Sequence, residues 1–164
     1  MKYCIQSVRD RPELWSSSDP IHPNVGPEFK TAKGRDVYGL MSPDGEWKAF
    51  MCLARTVDVP RNMQELDEMT DPSGPVVVPY TVWSFEKGAG REMINEVLWL
   101  AKMALKHVRR VVTLSPMTTM AEKFHLRNGA FKFRTNETSV NFEYQLHGCS
   151  ACECDPCDCG WGNY

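Results

Sequence analysis

The stretch Val76-Val77-Val78-Pro79-Tyr80-Thr81-Val82-Trp83, followed closely by Gly88-Ala89-Gly90-Arg91, decides the fold class. Its first part is apolar, β-branched and aromatic, as a buried strand requires. Beyond the glycines, Met93, Ile94, Val97, Leu98, Ala101, Leu105 and Val108 recur at helical spacing. A strand, a glycine turn and a helix in that order aim backbone N–H groups and the positive end of the helix dipole into one concave space. That is an anion site. The same glycines also suit a plain tight turn, and a lone Gly-x-Gly does not separate the two readings.

Upstream, Lys2 to Val8 alternates as a first strand. Arg9 to Gly34 is irregular, and Pro20, Pro23 and Pro27 exclude a long helix there. Asp36 to Met41 and Trp47 to Val57 read as a hairpin closed by Ser42-Pro43-Asp44-Gly45. Arg61 to Thr70 is acidic and fits a short helix or a loop. Downstream, Val108 to Ser115 reads as a strand stopped by Pro116. Met117 to Asn128 reads as a helix with Met120, Ala121, Phe124, His125 and Leu126 on or near its inner face, ended by Asn128-Gly129. Phe131 to Phe133 and Ser139 to Leu146 complete the pattern. The order predicts an α/β fold: one mixed sheet with helices packed on it.

Length and composition agree with one domain. The chain has 164 residues, 42% hydrophobic and 24% charged, with a formal net charge of −2. That balance gives no basic excess for general nucleic-acid binding. No apolar run reaches the length of a membrane span. Met1 to Val8 carries no signal-peptide pattern, so the expected setting is cytoplasmic. Cys4 and Cys52 fall in predicted strands and read as small buried residues. We expect a domain over residues 1–146 and a cysteine-rich tail over 147–164.

The element order, with its glycine turn and long helix after the fourth strand, resembles the GNAT superfamily of acyl-CoA-dependent N-acyltransferases. In that family the turn reads Q/R-x-x-G-x-G/A, and its amides bind the pyrophosphate of coenzyme A. Here Gly88-Ala89-Gly90 matches the glycine positions, and Arg91-Glu92-Met93-Ile94 continues as the family helix does. Phe85 replaces the expected Gln or Arg, with Lys87 and Arg91 as alternative cations. A second family signature, N-x-x-A-x-x-x-Y-x-x-x-G-F, is matched at Ala121 and Gly129, with Thr118 at the Asn position and His125 at the Tyr position. Several segments, Phe124-His125-Leu126-Arg127-Asn128-Gly129-Ala130 among them, resemble GNAT-like proteins of short-tailed bacteriophages.

The resemblance implies a GNAT-like fold and acetyl-CoA, or another acyl-CoA, as co-substrate. Its acyl group would pass to an amine acceptor. The implied cofactor-binding residues are Tyr80, Thr81, Val82, Lys87, Gly88, Ala89, Gly90, Arg91 and Thr118. The amides of Tyr80 to Val82 are the candidates for holding the acyl carbonyl. Pro79, which removes a ladder donor, favours a splayed strand beside them. His125 is the candidate catalytic acid, since imidazole donates a proton near neutral pH; the alternative is a histidine packed between helix and sheet. Glu86, Asp58, Glu65 and Glu68 lie near plausible site edges as base candidates, and each also reads as a surface carboxylate. Tyr80, Trp83 and Phe85 suit either an acceptor pocket or the core. A second hypothesis follows from the changed polar positions: a non-catalytic GNAT-fold virion or assembly protein, with other phage structural proteins as partners.

Cys149, Cys152, Cys154, Cys157 and Cys159 crowd the tail. Thiolates at this spacing can converge on zinc, although structural zinc sites usually separate two ligand pairs by a longer loop. Disulfides and free thiols are the competing readings.

Overall fold

The computed structural model describes residues 3–22 and 24–146. Seven strands form one sheet: Cys4–Ser7 (β1), Arg35–Met41 (β2), Trp47–Thr56 (β3), Val76–Ser84 (β4), Arg110–Val112 (β5), Phe131–Thr135 (β6) and Val140–Tyr144 (β7). The helices are Pro27–Lys30 (α1), Met63–Met69 (α2), Ala89–Met103 (α3) and Thr119–Arg127 (α4). The sheet order is β1-β2-β3-β4-β5-β7-β6. Only β4 and β5 run parallel among these pairs, and α3 is the crossover between them.

Alternation along the central strands supplies a core on each face. On one face Met93, Ile94, Val97 and Ala101 of α3 pack on Leu40, Met51 and Val77. Burying each such aliphatic side chain contributes about 1.5–3 kcal/mol. On the other face Trp15, Leu66 and the partly buried Phe29 cover Phe50, Val78 and Tyr80. Trp15 is fully buried, and its indole N–H donates to the Val8 carbonyl at 2.8 Å. This anchors the irregular segment after β1 against the sheet.

Tertiary pairing changes several predicted boundaries. α3 stops at Met103, short of the predicted limit near residue 107, and His107 turns the chain with φ 66°. β5 spans only three residues, against the eight predicted. Beyond it the pairing with β7 continues in the same register, Ser115 exchanging two backbone bonds with Val140 at 3.0 Å each. Met120 and Leu126 are exposed, not on the inner face of α4, because that face is filled by Phe124 and His125. Cys52 is buried as expected, whereas Cys4 is exposed on the outer strand β1. No helix among the described residues is long and apolar enough to cross a membrane.

A buried ion pair holds the segment between β1 and α1. Lys30 Nζ donates to Asp19 Oδ2 at 2.7 Å, and both side chains are essentially without solvent contact. Removing one partner leaves an uncompensated buried charge. Lys30→Met is therefore expected to lower unfolding free energy by about 3–5 kcal/mol, read by urea denaturation. Pairing it with Asp19→Asn should recover a large part of that loss.

Candidate functional site

The site begins where β4 parts from β5. Leu114 N–H donates to the Pro79 carbonyl at 2.9 Å, so residue 79 turns its backbone toward β5. Proline has no N–H to return, and one ladder bond is lost on that edge. The next residue, Tyr80, has no partner on β3: Leu53 pairs with Pro79, and Cys52 pairs with Thr81. This bulge resets the alternation of the strand. Phe85 N–H donates to the Lys48 carbonyl on β3. Thr81 and Trp83 share its parity, so Val82 and Ser84 present their backbone groups to the edge that β5 has vacated. Of the three amides expected to hold an acyl carbonyl, that of Val82 is aimed at the open edge by this parity. The Tyr80 and Thr81 hydroxyls are buried and without a hydrogen-bond partner of normal geometry, although Tyr80 lies beside the Cys52 thiol.

That edge runs directly into α3. Gly88 is its N-cap with φ 89°, a left-handed conformation that favours glycine. Ala89 N–H is satisfied by the Glu86 carbonyl, and Glu92 N–H by the Gly88 carbonyl. The amides of Gly88, Gly90 and Arg91 have no backbone acceptor among the described residues. Three free donors and the dipole of a fifteen-residue helix make an anion-binding end. Gly90 has a different reason to be glycine. A Cβ there would lie 2.8 Å from Cε1 of Phe124, so α3 and α4 touch at this point. Lys87 and Arg91 are exposed beside the turn. Phe85 is also exposed, and Trp83 and Tyr80 belong to the core. Thr118 caps α4, its hydroxyl accepting from Ala121 N–H at 3.1 Å. The residues therefore fit the thioester arm and pyrophosphate of an acyl-CoA: one edge amide, three turn amides and two cations.

On the face opposite α3 lies a cavity of about 280 Å³. Ile21, Met63, Leu114 and Pro116 form its apolar walls. Asn62, Ser115, Thr138 and Ser139 supply uncharged polar groups, and His22 is the one titratable side chain among the described residues that line it. The His22 ring centroid lies 5.9 Å from that of Tyr80, which joins the cavity to the bulge. Burial pulls the His22 pKa below the ordinary histidine value, with the Asp19 carboxylate opposing. None of the carboxylates proposed from sequence lines the cavity. Glu65 is paired with Arg61, whose hydrogen bonds hold its pKa to about 2. Glu86 pairs with Lys48 at 3.5 Å and accepts from the Tyr3 hydroxyl.

His125 is 4% exposed and lies between α4 and the sheet. Its Nε2 is 3.1 Å from Ser115 Oγ and its Nδ1 is 2.7 Å from the Tyr144 hydroxyl. Thr113 Oγ1 extends the chain to Ser115 at 2.8 Å, and Phe142 stacks on the imidazole at 5.0 Å. Desolvation lowers the His125 pKa to about 4. Burial thus disfavours the charged ring, and both of its nitrogens lie within hydrogen-bond distance of hydroxyls. Its reach to the cavity is indirect, through Ser115.

The structure thus brings Val82, Gly88, Gly90 and Arg91 along one edge and sets Thr118 at the cap of the neighbouring helix. His22, Ser115 and Tyr144 escaped the sequence reading. His22 stood in a segment without periodicity, and the Ser115 and Tyr144 contacts depend on strand register. Among the described residues no cluster of His, Cys, Asp or Glu is arranged to hold a metal. The five tail cysteines lie outside the described residues.

The neutral His125 has a consequence for stability. Its folded pKa of about 4 lies below the unfolded value near 6.5, so its contribution is complete above pH 6.5. As pH falls from 6.5 to about 4, the unfolded ring takes a proton that the folded ring refuses. The expected loss over that window is roughly 3 kcal/mol. His125→Gln should flatten this part of the stability–pH curve, measured by urea denaturation at pH 7, 5.5 and 4.5.

No protein-family model matches the sequence, and no curated protein does. Solved structures do share its fold. GphF, a GNAT-like decarboxylase in complex with isobutyryl-CoA, matches with a TM-score of 0.66 at 15% identity, over 88% of this chain and 100% of that one. The loading GNATL domain of CurA from Lyngbya majuscula matches with a TM-score of 0.65 at 14% identity, over 89% and 98%. AtaTR bound with AcCoA gives 0.57 at 14% identity, over 87% and 93%. Likeness at such low identity is a likeness of architecture: the chain has the GNAT-like acyltransferase fold, a mixed sheet flanked by helices.

Proposed function

We propose that the protein binds an acyl-CoA, acetyl-CoA in the simplest case, and transfers its acyl group to an amine. One observation carries this reading: the free edge of β4 at Val82 leads without interruption into the free amides of Gly88, Gly90 and Arg91. The acyl-CoA complexes of GphF and AtaTR support it as relatives in fold.

Bound acyl-CoA supplies an activated thioester. The Val82 N–H is aimed to donate to its carbonyl oxygen, where negative charge grows as an amine attacks. The Gly88, Gly90 and Arg91 amides, with the Lys87 and Arg91 side chains, take the pyrophosphate. Ala89 turns into the core and fixes the start of α3. Tyr80 and Thr81 shape the bulge. Thr118, at the N-cap of α4, is proposed to border the bound arm. His125 holds Ser115 in the cavity wall as a neutral ring. The cavity on the opposite face is the proposed entrance of the acceptor amine. A cytoplasmic setting suits this chemistry.

Calorimetric titration with acetyl-CoA is the direct test. Binding is expected, and absence of binding at millimolar cofactor would sink the enzyme reading. That outcome would favour the alternative, a non-catalytic assembly part of a phage particle, motivated by the exposed Phe85 where the family carries a polar side chain. The double charge reversal Lys87→Glu, Arg91→Glu should weaken binding about tenfold or more, because both cations sit at the anion-binding end. For the tail cysteines we propose zinc in a structural role. Stoichiometric zinc in the purified protein, removable by chelator, is the expected finding, and full reactivity of all five thiols in native metal-free protein would exclude it.

A further inference from the structure

We propose that His22 is the general base of this reaction, and that the acceptor is a primary amine on an otherwise uncharged body. The proposal rests on the acyl-CoA reading above and goes beyond it in naming the base and the acceptor class.

Among the described residues the cavity wall carries one titratable group, His22. Among the described residues that line it there is no carboxylate to receive a second cation of the acceptor and no lysine or arginine to receive an anion. Its apolar and hydroxyl-bearing walls suit a small uncharged body.

The backbone of His22 is gripped from both sides. Asp19 Oδ1 accepts from the N–H of Ile21 at 2.8 Å and of His22 at 3.0 Å. Lys30 Nζ donates to Asp19 Oδ2 at 2.7 Å and to the His22 carbonyl at 3.3 Å. A buried ion pair carries a desolvation cost that seldom favours stability over an apolar substitute. Here it fixes the one proton acceptor of the cavity. The nearby Tyr80 backbone favours the protonated imidazole, against the larger effect of burial. In its neutral form the ring keeps one unprotonated nitrogen as the acceptor. The charged groups facing it are Asp19 and Lys30, which oppose one another. Cys52, beyond Tyr80, stays a neutral thiol with its pKa pushed up to about 12.

In the reaction, the neutral imidazole takes one proton from the acceptor ammonium. The freed lone pair forms the C–N bond at the thioester carbonyl carbon, and the C–S bond breaks. The second nitrogen proton passes to the departing thiolate. The products are an amide, the free thiol of coenzyme A, and a protonated His22 that releases its proton to solvent.

The test uses the full chain, acetyl-CoA as donor and benzylamine as probe amine, following release of the coenzyme A thiol. His22→Ala is expected to lower kcat by about 100-fold or more, with acetyl-CoA affinity by calorimetry within about twofold of the parent. Added imidazole should restore part of the rate, which loss of a structural side chain would not allow. The acid limb of kcat/KM should fall below pH 6.5 and match the His22 ring titration seen by NMR in the unliganded protein. A His22→Ala enzyme at parental rate, or an acid limb unmoved by that change, overturns His22 as base while leaving the acyl-CoA reading intact. Preference for spermidine over benzylamine overturns the acceptor class. Failure of the parent protein to bind acetyl-CoA overturns the reading beneath both.

Discussion

The interrupted ladder between β4 and β5 is the constraint on which the rest of the molecule depends. Pro79 has no N–H for the β5 edge, and Tyr80 has no partner on β3. These adjacent irregularities end one strand pair and turn the other. A continuous parallel ladder would have consumed the Val82 amide. Its interruption leaves backbone donors facing an open edge, beside a helix whose own first amides are free. A sheet defect and a helix terminus, each an energetic liability alone, thus lie side by side as one surface of unpaired backbone donors.

The elements around this gap share the task of keeping it in shape. On one face, Phe124 of α4 closes on Gly90 so tightly that a methyl group would collide with it. On the other, the Asp19–Lys30 pair fixes a segment that has no secondary structure of its own at His22. Farther along, Ser115 pairs with Val140 in the register already set between β5 and β7, and the Thr113–Ser115–His125–Tyr144 chain of side chains bonds across it. Asn141 Nδ2 donates to the carbonyls of Pro60 and Thr113, so the cavity wall is tied to the sheet at a fully buried side chain. Polar side chains here perform what regular ladders do elsewhere: they satisfy backbone groups where the strands diverge.

Buried histidine chemistry shows how environment overrides residue type. His22 and His125 carry the same imidazole, and burial lowers both pKa values. His125 has both nitrogens bonded by neutral hydroxyls and stacks on Phe142, so no charge nearby favours its protonation. His22 keeps a carboxylate neighbour and a cavity. The same side chain thus meets two different electrostatic surroundings.

Local patterning determined the strands, the hairpin at Ser42 to Gly45, the glycine turn and the helix behind it. Each depends on side-chain periodicity or on the backbone freedom of glycine and proline, properties carried by neighbouring residues. The Gly88 conformation and the Pro79 defect were legible for the same reason. What only the tertiary structure decided were the relations between distant segments. The continuation of β5 against β7 depends on Val140, the closeness of Gly90 depends on Phe124, and the lowered pKa of His125 depends on its burial. The grip on His22 joins residues separated in sequence through a charge pair that water would otherwise screen. Burial and register are properties of the assembled sheet. No local run of residues encodes them, because the low dielectric and the excluded water that set their energies exist only once the chain has closed around them.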